Sequence, residues 1–268
     1  MNNQFRAIVY EEYFLYGVDY LPLSGASGTV FTEFQVRIQR DSVFKLRAVN
    51  YRATDARILW RTRDDATGEY FQKGSPDMRA TCGRPLTGDF SMVGAYNDFL
   101  PFILPTPRRI QPSTNITVEA SDFSGADNTV RIALHGGKVK DGAPPWAKKY
   151  KRVKDITYEL DVGTVGANAT LPAVLTTDTD SDFLIEGLTA SRAGQATIFI
   201  SEGTRGRDWM DRYIHLDLVF GRSMFPNLLL KKTPRFIERG RNISVSVTDI
   251  SGAANRVRLY FIGQKLYG

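Results

Sequence analysis

The chain has 268 residues, 42% of them hydrophobic, and a formal net charge of +6. It is long and apolar enough for two ordinary domains with buried cores, which argues against extended disorder. The single cysteine, Cys82, rules out an internal disulfide, and no apolar run is long enough for a membrane helix. We therefore expect a chain that is made in a reducing cytoplasm and has no membrane span.

Most of the predicted elements are strands, because apolar and polar residues alternate with a period of two between turn residues. In chain order, strands are predicted at residues 29–39, 56–62, 116–120, 130–134, 156–162, 195–201, 214–220, 243–247 and 257–261. Helical patterns are weak, and the best candidates are the first dozen residues and residues 207–213. The predicted fold class is all-β.

An internal repeat organises the chain. Residues 106–138 return at 233–265 with a constant offset of 127, and sixteen of the thirty-three positions are identical. Residues 41–60 also resemble residues 180–200. We predict two tandem, internally duplicated β-sandwich domains of jelly-roll-like character. The proposed boundaries are 1–138 for the first unit, 139–156 for a basic, proline-containing linker and 157–268 for the second unit.

Each copy of the repeat joins two strands through an Asp-x-Ser-Gly loop. The loop contains an aspartate that can bond its own backbone, a glycine that permits positive φ and an asparagine that tolerates it. These residues are Asp122, Gly125 and Asn128 in the first copy and Asp249, Gly252 and Asn255 in the second. Because they recur with the scaffold, we interpret them as turn residues rather than as catalytic groups.

Two arginines recur in the same way. Arg108 has its counterpart in Arg235, and Arg131 has its counterpart in Arg258. The two strands and the Asp-x-Ser-Gly loop between them predict a hairpin. We expect these arginines to tie the hairpin to a neighbouring loop or to face a neighbouring subunit.

The excess positive charge lies in one segment. Residues 138–154 hold seven Lys or Arg and one Asp, and Pro144 and Pro145 stiffen the segment. Either this segment is an arm that binds an acidic neighbour, or it is a solvated linker whose aromatic residues pack on one domain. The candidate partner-contact residues are Trp146, Lys148, Lys149, Tyr150, Lys151 and Arg152. The rest of the chain is balanced in charge, so direct contact with nucleic acid is not expected.

The sequence offers little support for catalysis. His135 and His215 are its two histidines, and each lies in a strand-like stretch. Two histidines exclude a three-histidine metal site, and no Ser–His–Asp set has supporting spacing. We predict no enzyme activity and no cofactor.

The weak metal candidate is an acidic loop with Asp178, Asp180 and Asp182 at alternate positions. Oxygen ligands at such spacing can bind calcium. Phe183 and Thr189, however, stand where a calcium-binding loop of the EF-hand type has its glycine and glutamate. We therefore favour an exposed acidic loop without a metal.

The repeated phrase TPR-x-I, NI-x-V, D-x-SG-x-x-N-x-VR and G-x-K resembles that of tandem β-sandwich virion structural proteins of tailed bacteriophages. The resemblance implies a non-enzymatic accessory capsid or neck/collar component that assembles through sandwich faces and edges. It also implies a homo-oligomer that contacts other virion proteins, located in the virion after synthesis in the host cytoplasm.

Two alternatives remain. A looser resemblance is to double jelly-roll major capsid proteins of tailless phages, although the modest insertion near residues 61–105 and the unconvincing N-terminal helix depart from that pattern. A carbohydrate-binding or adhesive module is the other alternative, because Trp60, Trp146 and Trp209 offer rings that stack on sugars. This second alternative requires the three rings to be exposed on one face.

Overall fold

The computed structural model describes residues 9–23, 30–54, 57–78, 101–203, 206–221 and 227–268. Cys82 lies outside these ranges. The described residues form almost wholly antiparallel β-structure, so the predicted all-β class is confirmed. They include a short α-helix, α1 (Leu216–Val219). None of the helices in the described ranges has the length and apolar character that a membrane crossing requires.

The first half of the chain forms two four-stranded sheets around one core. One sheet has the strand order β1-β8-β3-β6, and the other has the order β2-β7-β4-β5. Buried residues of both sheets, such as Tyr51 and Trp60, belong to the same hydrophobic cluster. The strands are β1 (Val9–Leu23), β2 (Thr32–Arg37), β3 (Phe44–Ala53), β4 (Ile58–Asp64), β5 (Glu69–Tyr70), β6 (Phe102–Ile110), β7 (Asn115–Asp122) and β8 (Asn128–Asp141).

The second half is built in the same manner. Its sheets have the orders β9-β17-β11-β15 and β10-β16-β12-β13, and the two-residue strand β14 pairs beside β12. Phe183, Ile198 and Phe261 are among the buried residues of its core. The strands are β9 (Arg152–Val165), β10 (Thr170–Thr176), β11 (Asp182–Arg192), β12 (Ala196–Glu202), β13 (Arg207–Asp208), β14 (Ile214–His215), β15 (Arg235–Ile237), β16 (Asn242–Asp249) and β17 (Asn255–Tyr267).

The chain follows the same path in both halves. When β14 is set aside and the strands are counted from β1 and from β9, each half has one sheet of order 1-8-3-6 and one of order 2-7-4-5. This is the order of an eight-stranded jelly roll, which is a sandwich of two Greek keys. A common origin of the halves remains an interpretation of the sequence repeat and of this shared order.

Two glycines at matched positions allow a bulge in the centre of each jelly roll. The pairing register shifts between Leu46 and Ala48 in β3 and between Ile185 and Gly187 in β11. Beside these bulges, a Cβ on Gly136 would overlap the carbonyl oxygen of Lys45. A Cβ on Gly263 would likewise overlap the carbonyl oxygen of Leu184. The glycine of the repeated G-x-K phrase is therefore a steric requirement of the bulge.

Residues 214–220, predicted as one strand, were assigned wrongly in most of their length. Only Ile214 and His215 pair as a strand, and α1 follows directly. The alternation of polar and apolar residues is misleading here, because the whole segment is buried between the halves. His215 and Asp217 belong to a buried polar cluster rather than to an exposed strand face.

The two helix candidates were also wrong in the part that the structure describes. Residues 9–12 of the first dozen belong to β1, and residues 207–213 are extended. Arg207 and Asp208 pair with β12, and the following residues bond to the edge of β1. Pairing with other strands therefore determines the structure of both segments.

The segment between the halves is shorter than the predicted linker 139–156. Strand β8 continues to Asp141, where it pairs with Val9, and β9 begins at Arg152, where it pairs with Tyr267. Residues 142–151 connect them and contain one 3₁₀ turn, Pro145–Ala147. We call residues 142–151 the arm.

The Gly263→Ala variant should test the steric role of the repeated glycine. We expect it to lower the free energy of unfolding by about 2 kcal/mol, because the added methyl group has no room beside Leu184. Urea unfolding followed by circular dichroism measures the change. Gly166→Ala is the matched control, since its Cβ would meet only Ala169 Cβ at 3.6 Å. Equal stability of the two variants would contradict the steric explanation.

Candidate functional site

The edge of β1 is bonded by the second half of the chain. Leu15 N–H donates to the carbonyl oxygen of Trp209 at 2.9 Å, and Asp211 N–H donates to the carbonyl oxygen of Leu15 at 3.2 Å. Gly17 N–H donates to Asp211 Oδ1 at 3.0 Å. We call residues 206–211 the docking segment, because they satisfy backbone groups that an edge strand leaves open.

Arg235 anchors the docking segment and is only 2% exposed. Its Nη1 donates to the carbonyl oxygen of Tyr13 at 3.2 Å, and its guanidinium lies 5.3 Å from the ring of Trp209. Glu202 and Glu12 lie at 3.0 and 3.7 Å from its nitrogens and balance the buried charge. This arginine thus joins β15 in the second half to β1 in the first.

A buried ion cluster forms a second connection between the halves. Asp217 accepts from Arg52 Nη1 of β3 at 2.7 Å and from Arg192 Nε of β11 at 2.7 Å. Burial alone would raise the pKa of Asp217, but the neighbouring positive charges lower it to about 2. Burial lowers the pKa of His215 well below its usual value, so this ring is neutral and the two guanidinium groups carry the effect.

A neutral hydrogen-bond network lies in the same interface. Tyr13 Oη is 2.9 Å from His135 Nδ1 and accepts from Asn227 Nδ2 at 3.2 Å. His135 Nε2 is 2.8 Å from Asn50 Oδ1, and Asn50 Nδ2 donates to the carbonyl oxygen of Leu218 at 3.3 Å. Burial lowers the pKa of His135 to about 3, so the ring is neutral and bridges the two side chains.

These contacts use polar groups of both halves to hold the halves together. A cleft of about 180 Å³ also opens between the halves, and charged side chains line it. Its lining groups pair with each other: Arg207 binds Glu12 at 2.7 Å, and Lys138 binds Asp41 at 3.1 Å. The arrangement is suited to fixing the relative position of the two jelly rolls.

The repeated turn residues form the same hydrogen bonds in both halves. Each aspartate accepts from the backbone N–H and the hydroxyl of the serine two residues later, at 2.9 and 2.7 Å in the first copy and 3.2 and 2.7 Å in the second. Gly125 and Gly252 have φ values of 84° and 74°. The structure thus places Asp122 and Asp249 in turn-forming roles. The predicted hairpins are wrong, because the strands on either side of each turn lie in different sheets and do not pair.

Asn128 and Asn255 do not adopt the positive φ that asparagine tolerates. Among the described residues other than glycine, only Ser113 and Asn168 do so. The two asparagines are instead buried, and each donates to the turn aspartate at 3.4 or 3.3 Å. Their Oδ1 atoms accept from backbone N–H groups of a neighbouring loop, at Thr54 and at Gly194. They therefore connect two loops at one end of each jelly roll.

The arm packs on the second half through its aromatic residues. Trp146 and Tyr150 cover a small cluster of Leu184, Phe236 and Leu266, and Tyr150 Oη donates to Asp182 Oδ2 at 3.2 Å. Trp146 also contacts the ring of Tyr10 of β1 edge-on, with centroids 5.6 Å apart. The basic residues of the arm and of the first position of β9 are exposed; they are Lys148, Lys149, Lys151 and Arg152. The arm thus presents a basic surface on an aromatic anchor.

The three aspartates of the acidic loop do not share one site. Asp178 accepts from Tyr158 and Lys265, and Asp180 accepts from Ser181. Asp182 accepts from Tyr150 and from the backbone N–H of Arg239. No group of three or more potential metal ligands is found within the described ranges. The carboxylates are thus used by different neighbours instead of converging on one ion.

The tryptophans are not displayed together for ring stacking. Trp60 and Trp209 are 2% and 0% exposed, and Trp146 is half-buried against the second half. Trp209 instead serves the interface between the halves, a role that its sequence context did not indicate. The sequence signal that did point to this interface was Arg235, which we expected to tie its hairpin to a neighbour.

Comparison with known proteins identifies no family. The chain matches no protein-family model and no curated protein. Among solved structures it is similar to one from a study of the triple jelly roll fold and turret assembly in an archaeal virus, with 8% identity, a TM-score of 0.25, and coverage of 99% of this chain and 61% of that one. A structure of Sulfolobus turreted icosahedral virus is similar with 8% identity and a TM-score of 0.24, and the match covers 92% of this chain and 59% of that one.

A third similar structure is a peptide-N(4)-(N-acetyl-β-D-glucosaminyl)asparagine amidase, with 10% identity, a TM-score of 0.23, and coverage of 97% of this chain and 96% of that one. The chain spans about three fifths of the length of the two viral proteins. At these TM-scores, none of the three similarities carries an argument about what this chain does.

The Asp217→Asn variant should reveal the energy of the buried ion cluster. At pH 7 we expect it to lower the free energy of unfolding by about 3 kcal/mol, because two buried guanidinium groups lose their counter-charge. The folded-state pKa of about 2 lies below the unfolded value of about 3.9. The contribution is therefore complete above about pH 4 and is lost as the pH falls towards 2.

Urea unfolding at pH 7, 5 and 3 measures this dependence, and the difference between variant and parent should narrow at pH 3. Asp161→Asn is the control, because this carboxylate is 43% exposed in its pair with Arg256. If the difference in free energy of unfolding between Asp217→Asn and the parent does not change with pH, the charge of Asp217 is not the source of the stabilisation.

The Trp146→Ala variant should test whether the arm is docked. We expect trypsin to cleave after residues 148–152 several-fold faster than in the parent, because the arm loses its aromatic anchor. Mass spectrometry of the fragments locates the cut. Trp146→Phe, which keeps an aromatic ring, should restore slow cleavage. If the parent is cut as fast as Trp146→Ala, the arm is a free linker.

Proposed function

We propose that the chain is a non-enzymatic structural protein of a virus particle, an accessory capsid or neck/collar component of a tailed bacteriophage. The observation that carries the proposal is the way the two jelly rolls are joined. Buried pairs such as Arg52 with Asp217 and Arg235 with Glu12 fix them as one body. Jelly rolls recur in viral capsids, and a rigid two-sandwich block is suited to repeated assembly.

The treatment of the sheet edges supports an assembly role. Pro105 and Pro107 in β6 and Pro172 in β10 obstruct further pairing on those edge strands. Strands β5, β13 and β15 are only two or three residues long. Strand β9, with fourteen residues and no proline, is the longest edge strand of the described chain that neither proline nor the other half protects. An open edge of this kind is a natural place for a neighbour to bind.

The proposed partners are other copies of the chain and other virion proteins, and the proposed location is the virion. The basic surface of the arm is a second candidate contact for an acidic protein surface. Lys148, Lys149 and Lys151 are exposed there, while the aromatic residues hold the arm in place. The charged side chains Arg52, Asp217 and Arg235 of the interface are paired within the chain, which favours a structural role over catalysis.

A double jelly-roll major capsid protein is the second candidate. It is favoured by one observation, the identical jelly-roll strand order of both halves. A major capsid protein forms the lattice of the shell, so shells cannot assemble without it. An accessory or neck/collar component is added to a shell that other proteins have formed. Whether shells assemble in the absence of the chain therefore distinguishes the two.

Quantitative mass spectrometry of purified particles tests the proposal, using the phage whose genome carries the gene. We expect the chain in the particles at a fixed copy number relative to the other virion proteins. Gold-labelled antibody seen in electron micrographs should then mark one region, the neck or the shell. If the chain is abundant in infected cells but absent from purified particles, the structural role is wrong. The soluble fraction of the same lysate, taken before the particles are purified, is the control for the presence of the chain.

A further inference from the structure

The docking segment has a structural counterpart in the first half of the chain. In each half, a glycine with positive φ donates to the carbonyl four residues earlier, and an aromatic residue three positions later donates to the neighbouring strand. The bonds are Gly206 to Glu202 at 3.1 Å and Trp209 to Ile200 at 3.0 Å, and Gly68 to Asp64 at 2.7 Å and Phe71 to Thr62 at 2.7 Å. Residues 68–73 therefore follow the same path as residues 206–211, and we call them the second docking segment.

The arginine that anchors the docking segment is repeated with it. Arg235 lies 5.3 Å from the ring of Trp209, and its counterpart Arg108 lies 4.7 Å from the ring of Phe71. Their surroundings differ, because Arg235 is buried against β1 whereas Arg108 is exposed. Arg108 Nη2 folds back and donates to the carbonyl oxygen of Phe71 at 3.2 Å. The matching carbonyl of Trp209 is the one that accepts from β1.

The strand edge that receives the docking segment is repeated as well. Leu15 of β1 stands opposite His135, and Thr157 of β9 stands opposite Ile262, with 135 and 262 separated by the repeat offset of 127. The N–H and C=O groups of Leu15 point away from β8, so those of Thr157 point away from β17 by the same register. Thr157 is exposed, and within the described ranges β9 pairs only with β17.

We propose that the second docking segment of one copy bonds to the edge of β9 in another copy, repeating between molecules the contact that joins the halves within one. Thr157 N–H would donate to the carbonyl oxygen of Phe71, and Lys73 N–H would donate to the carbonyl oxygen of Thr157. The interface is head-to-tail, so it links copies into a ring or a row. This inference deepens the proposed assembly role and rests on it for its biological meaning.

The side chains at this contact have complementary charges. In the contact between copies, Lys73 occupies the position that Asp211 has in the intrachain contact, and Glu159 occupies the position of Gly17. The proposed contact therefore brings a lysine to a glutamate. In the same way, Arg108 meets Asp155 where Arg235 meets Tyr13 in the intrachain contact. These four side chains are exposed in the single chain. Among the described residues, the ion pair of Glu159 is a long one, with Arg258 at 3.7 Å, and the Glu159 side chain is 48% exposed, so its carboxylate can reach a second copy.

The contact between copies is accordingly more polar than the contact between halves. The intrachain interface buries Tyr13, Leu15 and Trp209, whereas their counterparts are Asp155, Thr157 and Phe71. Association should therefore depend on protein concentration and weaken as salt rises, because exposed charge pairs are screened. Such a contact suits subunits that join reversibly during assembly.

Sedimentation velocity of the full chain at low and high salt tests the inference. We expect a concentration-dependent oligomer at low salt that dissociates at high salt. Lys73→Glu and Glu159→Lys should each weaken self-association by about tenfold, and the double charge swap should restore it. Lys232→Glu and Asp127→Lys are matched controls, because they reverse exposed charges that belong neither to the second docking segment nor to β9. A monomeric parent at every concentration, or single variants that associate normally, would overturn the inference.

Cysteine cross-linking tests the head-to-tail geometry in a Cys82→Ser background. Gln72 and Thr157 are the counterparts of Met210 and Leu15, which form a bridge within the chain. Mixing Gln72→Cys chains with Thr157→Cys chains should give disulfide-linked dimers on oxidation, and neither variant alone should do so. Dimers from a single variant alone would indicate a symmetric interface and contradict the proposal.

The two proposals fail in different ways. If the chain is present in particles and the charge and cysteine variants assemble like the parent, the structural role stands and this contact is wrong. If the chain oligomerises through this contact but is absent from particles, the contact stands and the virion role is wrong.

Discussion

The structure depends on satisfying the open edge of β1. An edge strand presents unpaired N–H and C=O groups, and these become costly once other parts of the chain cover them. Here Leu15 and Gly17 receive their partners from the docking segment, at distances of 2.9 to 3.2 Å. This backbone pairing brings Arg235 onto β1 and positions the second half against the first. The buried ion cluster and the neutral network complete an interface that the pairing has already oriented.

Much of the fold is predictable from the sequence, because its information is local. Alternation with a period of two identifies strands such as β12 and β16, and the Asp-x-Ser-Gly residues identify the turns that follow β7 and β16. The same local pattern does not show that each turn crosses from one sheet to the other. The constant repeat offset by itself indicates two similar units. The strand order of each sheet is not accessible in this way, because pairs such as β1 with β8 join distant parts of the chain.

The interface was largely inaccessible to sequence reasoning for the same reason. Arg52 and Asp217 are 165 residues apart, and Tyr13 and Arg235 are 222 residues apart. The polar residues of the segment around His215 look like the exposed face of a strand, but all of them are buried against the first half. Only the recurrence of Arg235 pointed towards a contact. Comparison of the two recurring arginines also shows where the halves differ. Arg108 keeps an aromatic neighbour, Phe71, but lacks a strand that corresponds to β1, to which Arg235 binds.

The long reach of β1 also has a consequence for synthesis on the ribosome. Strand β1 precedes the other strands of its sheet in the chain, yet that sheet is incomplete until β8 has been made, and the outer edge of β1 stays open until the docking segment has followed β12. During that interval the nascent chain carries an unprotected strand that other nascent chains on the same message can pair with. Slow elongation beyond β8 would lengthen the exposure, so translation speed across the arm and the early second half bears directly on the yield of correctly folded subunits.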